Sequence, residues 1–466
     1  MSTAPTPMRV AFADLVFSWP PNGGADADVY QVVSGLARRG VGVHLFVAHE
    51  RGSMERGNVQ TDLLPFPVTV LEFETNELKP DTLCARFRDQ VDAWQPDVVF
   101  LTHGFALKPY LALALAHHRL VGRFYAHELA CARDALRFKD GRPCPNDYLR
   151  TPDVCRACAL EKLGPEIRSG HMRTWASDWV AAEAWRPEYH RVVMESLQAY
   201  TAVVVSNTTL RAHVAEFTRR PEIFPGGAPV HEITPVIGGA VGDPKIILMT
   251  GRVEDPLKGL DVLRRAGELL AEKRARTAGV PPATSGTAVV PQESGHKAAE
   301  TAAVRTAGVP PAMCSGIAGV PPVSPTDFEI HATHFDVELS SGHFKALGWL
   351  SHEETLALYK QAAVVVVPSV WEEPFGLVAV EAMATGVPVC ASRIGGLADI
   401  VRHGETGFLF TPGDAAELAE QLNTLLGDAA LRYRLGEAGR RVAEREYDWD
   451  VIIEQRYLPF IRELIT

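Results

Sequence analysis

Short apolar runs alternate with polar loops and helical stretches along most of this chain. The runs are rich in Val, Ile and Leu, which is typical of strands buried on both faces of a parallel sheet. Connections long enough to hold a helix separate them, so the pattern indicates an α/β fold. A first helix is predicted at about Val29–Arg38. The predicted strands are Arg9–Phe12, Val43–Val47, Asp97–Leu101, Arg123–Ala126, Ala202–Val205, Lys245–Met249, Phe328–Ala332, Val364–Val367 and Val387–Cys390.

The stretch from 364 to 390 predicts a strand, a loop, a helix and a second strand in direct succession. Glu373 lies in the loop, at the carboxyl end of a strand, where open α/β sheets bind ligands. Glu381 lies on the helix, Leu377–Thr385, and Gly386 is well placed to end that helix. As an isolated pair, the two glutamates are better explained as a solvated loop residue and a charge on a helix face.

The start of this helix offers a site for a negative group. The amides of Gly376 and Leu377 lie at its N-terminus, where unpaired N–H groups and the helix dipole favour an anion. Glu373 and Glu381 would then accept hydrogen bonds from hydroxyls on either side. A sugar nucleotide has this arrangement of charge and hydroxyls.

Length and composition set broad limits on the function. A chain of 466 residues is too long for one ordinary core and predicts two domains. The net charge of −11 argues against nucleic acid as a partner, because a phosphate backbone needs a basic face. Seven cysteines, an odd number, favour a reducing compartment over a disulfide framework. The chain shows neither an apolar run of membrane-spanning length nor an apolar signal core, so the expected location is the cytoplasm.

One segment departs from the globular pattern. Residues from about 275 to 326 are rich in Ala, Gly, Pro, Ser and Thr, and the sequence AGVPP recurs in them. Such a composition cannot bury enough apolar surface to offset the entropy lost on ordering. We expect a disordered and dispensable insertion here, within the second domain. The boundary between the domains is predicted upstream, near 234–243.

Two cations follow the strand Lys245–Met249, in the sequence TGRVEDPLKGLDVLRRA. Arg252 and Lys258 are six positions apart on a strand-to-helix connection, at the ligand-binding edge of the sheet. A pyrophosphate suits such a pair, because Arg offers a bidentate fork and Lys a point charge. Taken alone, they are also unremarkable as surface charges.

The first predicted domain supplies two histidines and a glycine-containing loop. His127 follows the strand Arg123–Ala126 and His103 follows Asp97–Leu101, so both would point into one crevice. A single strand-end histidine is more often structural. Gly24, in the loop SWPPNGGADADVY, would let the backbone approach a ligand, although an ordinary turn is the simpler interpretation. The loop lacks G-x-G-x-x-G, which counts against a dehydrogenase.

Four cysteines follow His127 within about thirty residues. Cys155 and Cys158 form a C-x-x-C pair, and Cys131 and Cys144 lie upstream. Four thiols are the ligand number of a closed structural zinc site. The two longer spacings match no named zinc finger, and free thiols or a redox pair explain the cysteines about equally well.

The sequence PSVWEEPFGLVAVEAMATGVPVCAS, continued by GGLADIVRHGETGFLFTPGDAAELAEQL, resembles the donor-site segment of the retaining family 4 glycosyltransferases, which have the GT-B fold. The resemblance implies that Glu373 contacts the hydroxyls of the donor sugar and that Glu381 contacts the ribose. It also implies that the amides of Gly376 and Leu377 face the sugar-phosphate region. Phe375 belongs to the same donor-binding set.

Two further segments carry the resemblance in the second domain. The sequence G-R-x(5)-K-G, with Arg252 and Lys258, resembles the family's pyrophosphate clamp. The sequence GHFKALGWLSHEETLALYKQAAVVVVPS resembles the segment before the donor motif, which implies that Leu350 lies near the nucleotide base. Gly24 of the first domain corresponds to a Gly-rich loop that reaches toward the donor phosphate.

In the first domain, His127 sits where the family usually has a His-Asp pair at the active cleft. The acid here is Glu128, a departure that leaves the role of this carboxylate open. Some members of the family carry a similar cysteine-bearing insertion, here 128–165. The fold implied is α/β, with two Rossmann-like domains facing across a cleft and a C-terminal helix that crosses back, with Trp449 at the turn. The implied units are 1–236 for the acceptor, 237–447 for the donor and 448–466 for the returning helix.

The resemblance implies transfer of a hexose, with retention, from a nucleotide-diphosphate sugar to a hydroxyl of a glycan, a lipid-linked glycan or a small molecule. Arg252 and Lys258 would stabilise the departing diphosphate, while Glu373 and His127 would position the sugar. No acidic D-x-D motif is placed to hold a metal on the diphosphate, so no cofactor is expected for the chemistry. Contact with the inner membrane face is an expectation at the level of the family.

Two other classes of protein remain open. A GT-B sugar phosphorylase or a sucrose-type synthase shares the donor-side residues, and a requirement for inorganic phosphate would distinguish a phosphorylase. A binding protein without activity could also retain the fold. Intact Arg252, Lys258, Glu373 and Glu381 argue against the latter.

Overall fold

The computed structural model describes residues 8–52, 56–236, 245–253, 255–277, 328–333 and 342–466. Of the predicted insertion, residues 278–326 lie outside the described residues, whereas 275–277 form the end of a helix. Most of the predicted domain boundary, from 237 onward, lies outside them as well.

Strands and helices alternate through the described residues. The strands are β1 (Arg9–Asp14), β2 (Gly42–Glu50), β3 (Val68–Phe73), β4 (Val98–Leu101), β5 (Leu120–Arg123), β6 (Phe138–Lys139), β7 (Arg142–Pro143), β8 (Ala202–Val205), β9 (Pro221–Ile223), β10 (Ile246–Met249), β11 (Glu329–Ala332), β12 (Phe344–Ala346), β13 (Val364–Val367), β14 (Val389–Ser392) and β15 (Gly407–Phe410). The α-helices are α1 (Gly24–Arg38), α2 (Pro80–Trp94), α3 (Lys108–Ala114), α4 (Pro152–Ser169), α5 (Thr174–Ala181), α6 (Glu188–Ala199), α7 (Thr208–Val214), α8 (Leu260–Thr277), α9 (His352–Tyr359), α10 (Leu377–Thr385), α11 (Gly395–Ile400), α12 (Ala415–Gly427), α13 (Ala429–Val442), α14 (Trp449–Ile452) and α15 (Leu458–Ile465).

Two parallel sheets organise these elements, as the apolar runs predicted. Among the described residues, the first sheet has the order β3-β2-β1-β4-β5-β8-β9, and the second has the order β12-β11-β10-β13-β14-β15. Each sheet therefore reverses its strand order once, between β1 and β4 and between β10 and β13. A ligand crevice forms outside the carboxyl ends of the strands at such switch points.

Two predicted elements of the first domain were wrong in their bounds. The strand predicted at 123–126 ends at Arg123, because the amides of Tyr125 and Ala126 donate to the Glu128 carboxylate at 3.2 and 3.1 Å instead of to a neighbouring strand. Helix α1 begins at Gly24, five residues before the predicted start. Asp26 in its first turn accepts hydrogen bonds from the amides of the preceding loop and favours the helix dipole.

The chain returns to the first domain at its C-terminus, as predicted. Trp449 is buried, and the segment from α14 to α15 packs with the apolar face formed by β1, β2, β4 and α1. Ile453 fits into the notch at Gly35, where an added Cβ would lie 1.9 Å from the Ile453 side chain. Arg39 pairs with Asp450 at 2.9 Å and so ties α1 to the returning segment. In the part of the chain that the structure describes, no helix has the length and apolarity needed to cross a membrane.

Candidate active site

Two loops meet at the switch point of the second sheet. They follow β10 and β13, and the amide of Val370 donates to the carbonyl of Leu257 at 2.9 Å. Gly259 lies directly against Pro368: an added Cβ would lie 2.0 Å from the Pro368 oxygen, and φ at Gly259 is +76°. Glycine is therefore required here, both for the close approach and for the left-handed backbone. This contact fixes the end of the first loop against the start of the second.

Lys258 and Glu373 form an ion pair between these two loops. Lys258 Nζ donates to Glu373 Oε1 at 2.5 Å, and Ser369 Oγ donates to the same oxygen at 2.8 Å. The Glu373 side chain is buried, while Lys258 is partly open to the cleft. The structure thus brings together two residues that the sequence analysis placed in separate motifs.

Arg252 lies apart from Lys258 and reaches toward the other domain. Its side chain is exposed, and its NH2 lies 3.4 Å from the carbonyl oxygen of Asn22, in the loop between β1 and α1. Gly24 is the first residue of α1, and an added Cβ there would meet nothing within 4 Å. Arg252 therefore borders the glycine-containing loop of the first domain.

The N-terminus of α10 lies beside this pair. Gly376, at φ +123°, is its N-cap residue, and no side chain caps the helix. The preceding turn is held from the first domain, since Ser206 Oγ and Asn207 Nδ2 donate to the Pro374 carbonyl at 2.5 and 2.6 Å. The amides of Gly376 and Leu377 are thereby placed next to Glu373 by contacts across the cleft.

Glu381 lies deeper, on the first turns of α10. The hydroxyl of Tyr359 donates to its Oε2 at 3.2 Å, and the same hydroxyl lies 2.9 Å from Thr250 Oγ1, at the end of β10. His352 Nε2 lies 3.7 Å from the other carboxylate oxygen. Burial raises the pKa of Glu381 to about 7. The carboxylate therefore changes its charge near neutral pH.

His127 is buried at the cleft, but its acidic neighbour is Glu372 and not Glu373. Its Nε2 lies 3.4 Å from Glu372 Oε2, and neither ring nitrogen has a hydrogen-bond partner among the described residues. Arg137 donates to the same Glu372 oxygen at 2.9 Å, from the loop that contains the cysteines. His213 completes the group, 3.0 Å from Arg137 NH1. Burial lowers the pKa of His127 to about 4, which keeps the ring neutral.

Of this group, the sequence analysis named His127 as a site residue but not Glu372, Arg137 or His213. Glu372 is adjacent to Glu373 in the same motif and could have been included on that ground. Arg137 and His213 carry no local signal, because they reach the site only through the packing of distant loops. Glu128 does not pair with His127, because its carboxylate accepts amides of its own loop.

The second strand-end histidine lies in a different acidic environment. His103 Nδ1 is 3.8 Å from Asp26 of α1, and its amide donates to Asp14 at 3.0 Å. Burial opposes the charged ring, but Asp26 and Asp14 outweigh it and raise the pKa of His103. The pKa of His103 is thus shifted upward by its acidic neighbours, whereas that of His127 is shifted downward by burial.

Two predicted donor residues lie at the margins of this site. The ring of Phe375 packs on Gly226, where an added Cβ would lie 2.8 Å from it, so Phe375 contacts the connection between the domains. Leu350 is half-buried in the loop before α9, next to the exposed Trp349.

The four clustered cysteines line one cavity of about 280 Å³. All are free thiols. Among the described residues, no three of these sulfurs lie within 4.8 Å of one another. Burial raises the pKa of the Cys155 thiol to about 11, and the nearby thiols of Cys131 and Cys144 act in the same direction.

Comparison with solved structures identifies the fold. Sucrose-phosphate synthase from Thermosynechococcus elongatus is similar with a TM-score of 0.56 and 19% identity, over 98% of this chain and 99% of that chain. Anabaena Alr3699/HepE, solved in complex with UDP-glucose, is similar with a TM-score of 0.55 and 18% identity, over 98% of both chains. The two parallel-sheet domains and the returning C-terminal helix are thus those of a GT-B protein.

Sequence comparison finds similarity to glycosyltransferases. Residues 336–442 match the family described as glycosyl transferases group 1. Glycogen synthase of Mycobacterium tuberculosis (strain CDC 1551 / Oshkosh) is 42% identical over 106 residues, 23% of this chain and 25% of that protein. D-inositol 3-phosphate glycosyltransferase of Streptomyces avermitilis is 30% identical over 309 residues, 63% of this chain and 59% of that protein. The chain spans less than two thirds of the length of these curated relatives. The similarity to the glycosyl transferases group 1 thus rests mainly on residues 336–442.

Proposed function

We propose that the chain is a retaining glycosyltransferase that moves a hexose from a nucleotide-diphosphate sugar to a hydroxyl acceptor. The observation that carries the proposal is the pairing of Lys258 with Glu373 beside the uncapped N-terminus of α10. A cation, a carboxylate and free amides then converge at the switch point of one sheet. A sugar-phosphate group offers the matching charge and hydroxyls.

The donor would lie along the edge of the second sheet. Lys258 and Arg252 would hold the diphosphate, and Glu373 would accept hydrogen bonds from the hydroxyls of the sugar. Glu381 would accept from the ribose, at the buried end of the site. Leu350 would border the base. UDP-glucose is the ligand of one solved protein of this fold, which supports a nucleotide sugar without fixing its base for this chain.

The reaction would need little besides charge stabilisation and positioning. Arg252 and Lys258 would stabilise the charge that develops on the leaving diphosphate. The departing phosphate would take the proton of the acceptor hydroxyl on the same face of the sugar, which gives retention without a covalent intermediate. His127 would donate or accept a hydrogen bond to a sugar hydroxyl. Its two unpartnered ring nitrogens and its neutral state suit this role.

We assign the acceptor and the donor to different parts of the chain. Residues 1–236 would hold the acceptor, a glycan, a lipid-linked glycan or a small molecule, and residues 237–447 would hold the donor. Residues 448–466 would complete the first domain. A lipid-linked acceptor would bring the protein to the inner membrane face.

The test is a thermal-shift series with UDP, GDP and ADP and their sugars, followed by analysis of the products formed from the binding donor. A ligand at about 100 times its dissociation constant adds about 2.7 kcal/mol to stability. Lys258→Ala should abolish the shift. Lys273→Ala is the matched control, because Lys273 also pairs with a glutamate, Glu420, but on the outer helices α8 and α12. The control should shift as the wild type does.

The product decides between the alternatives. Release of a nucleoside diphosphate with an α-linked product from an α-linked donor supports the proposal. Formation of a sugar phosphate that depends on inorganic phosphate would replace it with a phosphorylase. Binding without turnover of any nucleotide sugar, with each class of acceptor supplied, would contradict it and leave a binding protein.

A further inference from the structure

The clustered cysteines come from three separate parts of the first domain. Cys131 lies in the loop after β5, Cys144 directly follows the β6–β7 hairpin, and Cys155 and Cys158 lie on the first turns of α4. The last two are three positions apart on the helix and so share one face. All four nevertheless line the same cavity. The fold thus brings these thiols to one cavity, although consecutive cysteines are up to thirteen positions apart in the sequence.

The loop between β5 and α4, which carries Cys131 and Cys144, has little regular structure. Its regular structure is the two-residue strands β6 and β7. Within six positions, Ala135, Arg137 and Asp140 all adopt positive φ, at 58°, 53° and 52°. Non-glycine residues in this conformation are strained and persist only when their surroundings hold them. Small irregular segments of this kind are commonly held by a structural metal.

We propose that Cys131, Cys144, Cys155 and Cys158 bind one Zn²⁺ ion as a closed structural site. Zn²⁺ takes four thiolates in a tetrahedron at about 2.3 Å, which brings the sulfurs to roughly 4 Å from one another. All four side chains line the cavity of about 280 Å³, into which the sulfurs would turn to reach this distance. Lys139 Nζ lies 3.8 Å from the sulfur of Cys158, so a cation is in place to offset the negative charge of a tetrathiolate site.

The spacing favours zinc over an iron–sulfur cluster. Ferredoxin-type clusters draw three of their cysteines from one short run, with two to four residues between neighbours. Here only Cys155 and Cys158 are that close, and twelve and ten residues separate the other neighbours. Structural zinc sites typically include close pairs of the C-x2–4-C type, and Cys155 with Cys158 is such a pair.

The site would act on the cleft through Arg137. The amide of Cys144 donates to the carbonyl of Arg137 at 2.7 Å. One proposed zinc ligand is therefore hydrogen-bonded to Arg137 itself. The guanidinium of Arg137 then reaches Glu372 across the cleft, next to Glu373. Zinc would thus hold Arg137, a positioning residue, in its strained conformation. The metal itself lies outside the group-transfer site.

The first experiment measures metal in the full-length protein purified without added metal or chelator. We expect about one zinc per chain by inductively coupled plasma mass spectrometry. Replacement by Co²⁺ should give intense visible bands and a thiolate-to-cobalt charge-transfer band. Cys155→Ser with Cys158→Ser should lose both signals, whereas Cys84→Ser, in α2 and outside the cavity, should keep them.

Three results would contradict the proposed zinc site. They are the absence of zinc from the wild type, a cobalt spectrum without thiolate charge transfer, and iron with acid-labile sulfide in place of zinc. The first two use the wild-type chain and remain decisive even if the double variant fails to fold. The outcome is independent of whether the protein transfers sugars.

The second experiment tests the link to Arg137 by hydrogen–deuterium exchange. Removal of zinc should speed exchange in residues 131–147 and, across the cleft, in 370–376. Arg137→Ala loaded with zinc should speed exchange only in 370–376, and Arg137→Lys should restore part of the protection. Removal of zinc from Arg137→Ala should then add nothing in 370–376. A full additional increase there would show that the metal does not act through Arg137.

Discussion

Lys258 donates to Glu373 at 2.5 Å, and this bond joins the two loops at the switch point of the second sheet. The cation proposed for the diphosphate is therefore already partnered in the free protein. An incoming diphosphate and Glu373 would share the ammonium group, which has three donors. The carboxylate holds the lysine in place but also reduces the positive charge that the diphosphate meets.

The pair gives two predictions: both variants should lose activity, but Glu373→Gln should bind the nucleoside diphosphate more tightly. Lys258→Ala should lower kcat/KM by about 10²–10³-fold, because it removes a cation that faces the leaving group.

Glu373→Gln should lower kcat yet tighten the binding of the nucleoside diphosphate, since it frees Lys258 and removes a negative charge. Steady-state kinetics and calorimetric titration would measure both. Weaker diphosphate binding by Glu373→Gln would contradict the proposed sharing.

Gly259 should tolerate no side chain. In Gly259→Ala the new Cβ would meet the Pro368 carbonyl at 2.0 Å and would force a left-handed backbone on alanine. The left-handed conformation alone costs about 1–2 kcal/mol, and forced contacts of this kind typically add about 1–3 kcal/mol. Gly404→Ala is the control, with a similar φ of +79° but open space around it. Denaturant unfolding should show the larger loss for Gly259→Ala, and equal losses would contradict the contact.

Glu381 should make stability fall as pH rises toward neutrality. Its pKa is about 7 in the folded protein against 4.5 for the free side chain, so the native state binds more protons between these values. The stabilisation is complete below pH 4.5 and is lost as pH rises through 7, with a total of about 3 kcal/mol by linkage. Unfolding of Glu381→Gln across this range should lack the decline. Glu353→Gln, on an exposed position, should retain it.

The same residue should make donor binding depend on pH. A ribose hydroxyl donates more strongly to a carboxylate than to a carboxylic acid. Donor affinity should therefore rise between pH 6 and 8, and Tyr359→Phe, which removes a donor to Glu381, should move this rise to higher pH. Calorimetric titration at several pH values would measure it. A flat profile for the wild type would contradict contact between Glu381 and the ribose.

His127 should make stability depend on pH in the opposite direction, so that the protein loses stability as pH falls. Burial lowers its pKa from 6.5 to about 4, so the unfolded state binds more protons between these values. Its contribution to stability is complete above pH 6.5 and is lost as pH falls toward 4. Thermal melts of His127→Gln should therefore depend less on pH in this window than those of the wild type. His171→Gln, at an exposed position, serves as the control and should melt as the wild type does.

The sequence predicted the unit around α10 almost completely, because its signals are local. β13 and α10 have the predicted bounds, and Gly386 ends the helix with φ +80°. A run of four valines, and a glycine two positions before a proline, leave few alternatives for the backbone. The GT-B fold and its returning helix were also predicted correctly, through the resemblance.

The first domain was less predictable because its contacts link distant residues. Arg123 ends β5 with a fully buried guanidinium, which Asp28 neutralises at 3.0 Å. This partner lies 95 positions away, and no pattern near Arg123 points to it. Arg137 and Glu372 are 235 positions apart, and no periodic pattern in the sequence indicates that they pair. Such contacts follow from packing alone.

The returning C-terminus has a consequence for the order in which the protein can fold during synthesis. The first sheet leaves the ribosome before the second, yet Ile453, Tyr457 and Ile461, which cover one of its faces, are made only after the second sheet. Domains usually fold as units, from the N-terminal one onward. Here the N-terminal domain must wait, with an apolar face uncovered, until the whole second domain has been translated. A chain that stops before Trp449 would thus contain strands β10–β15 of the second sheet but leave the first domain unfinished.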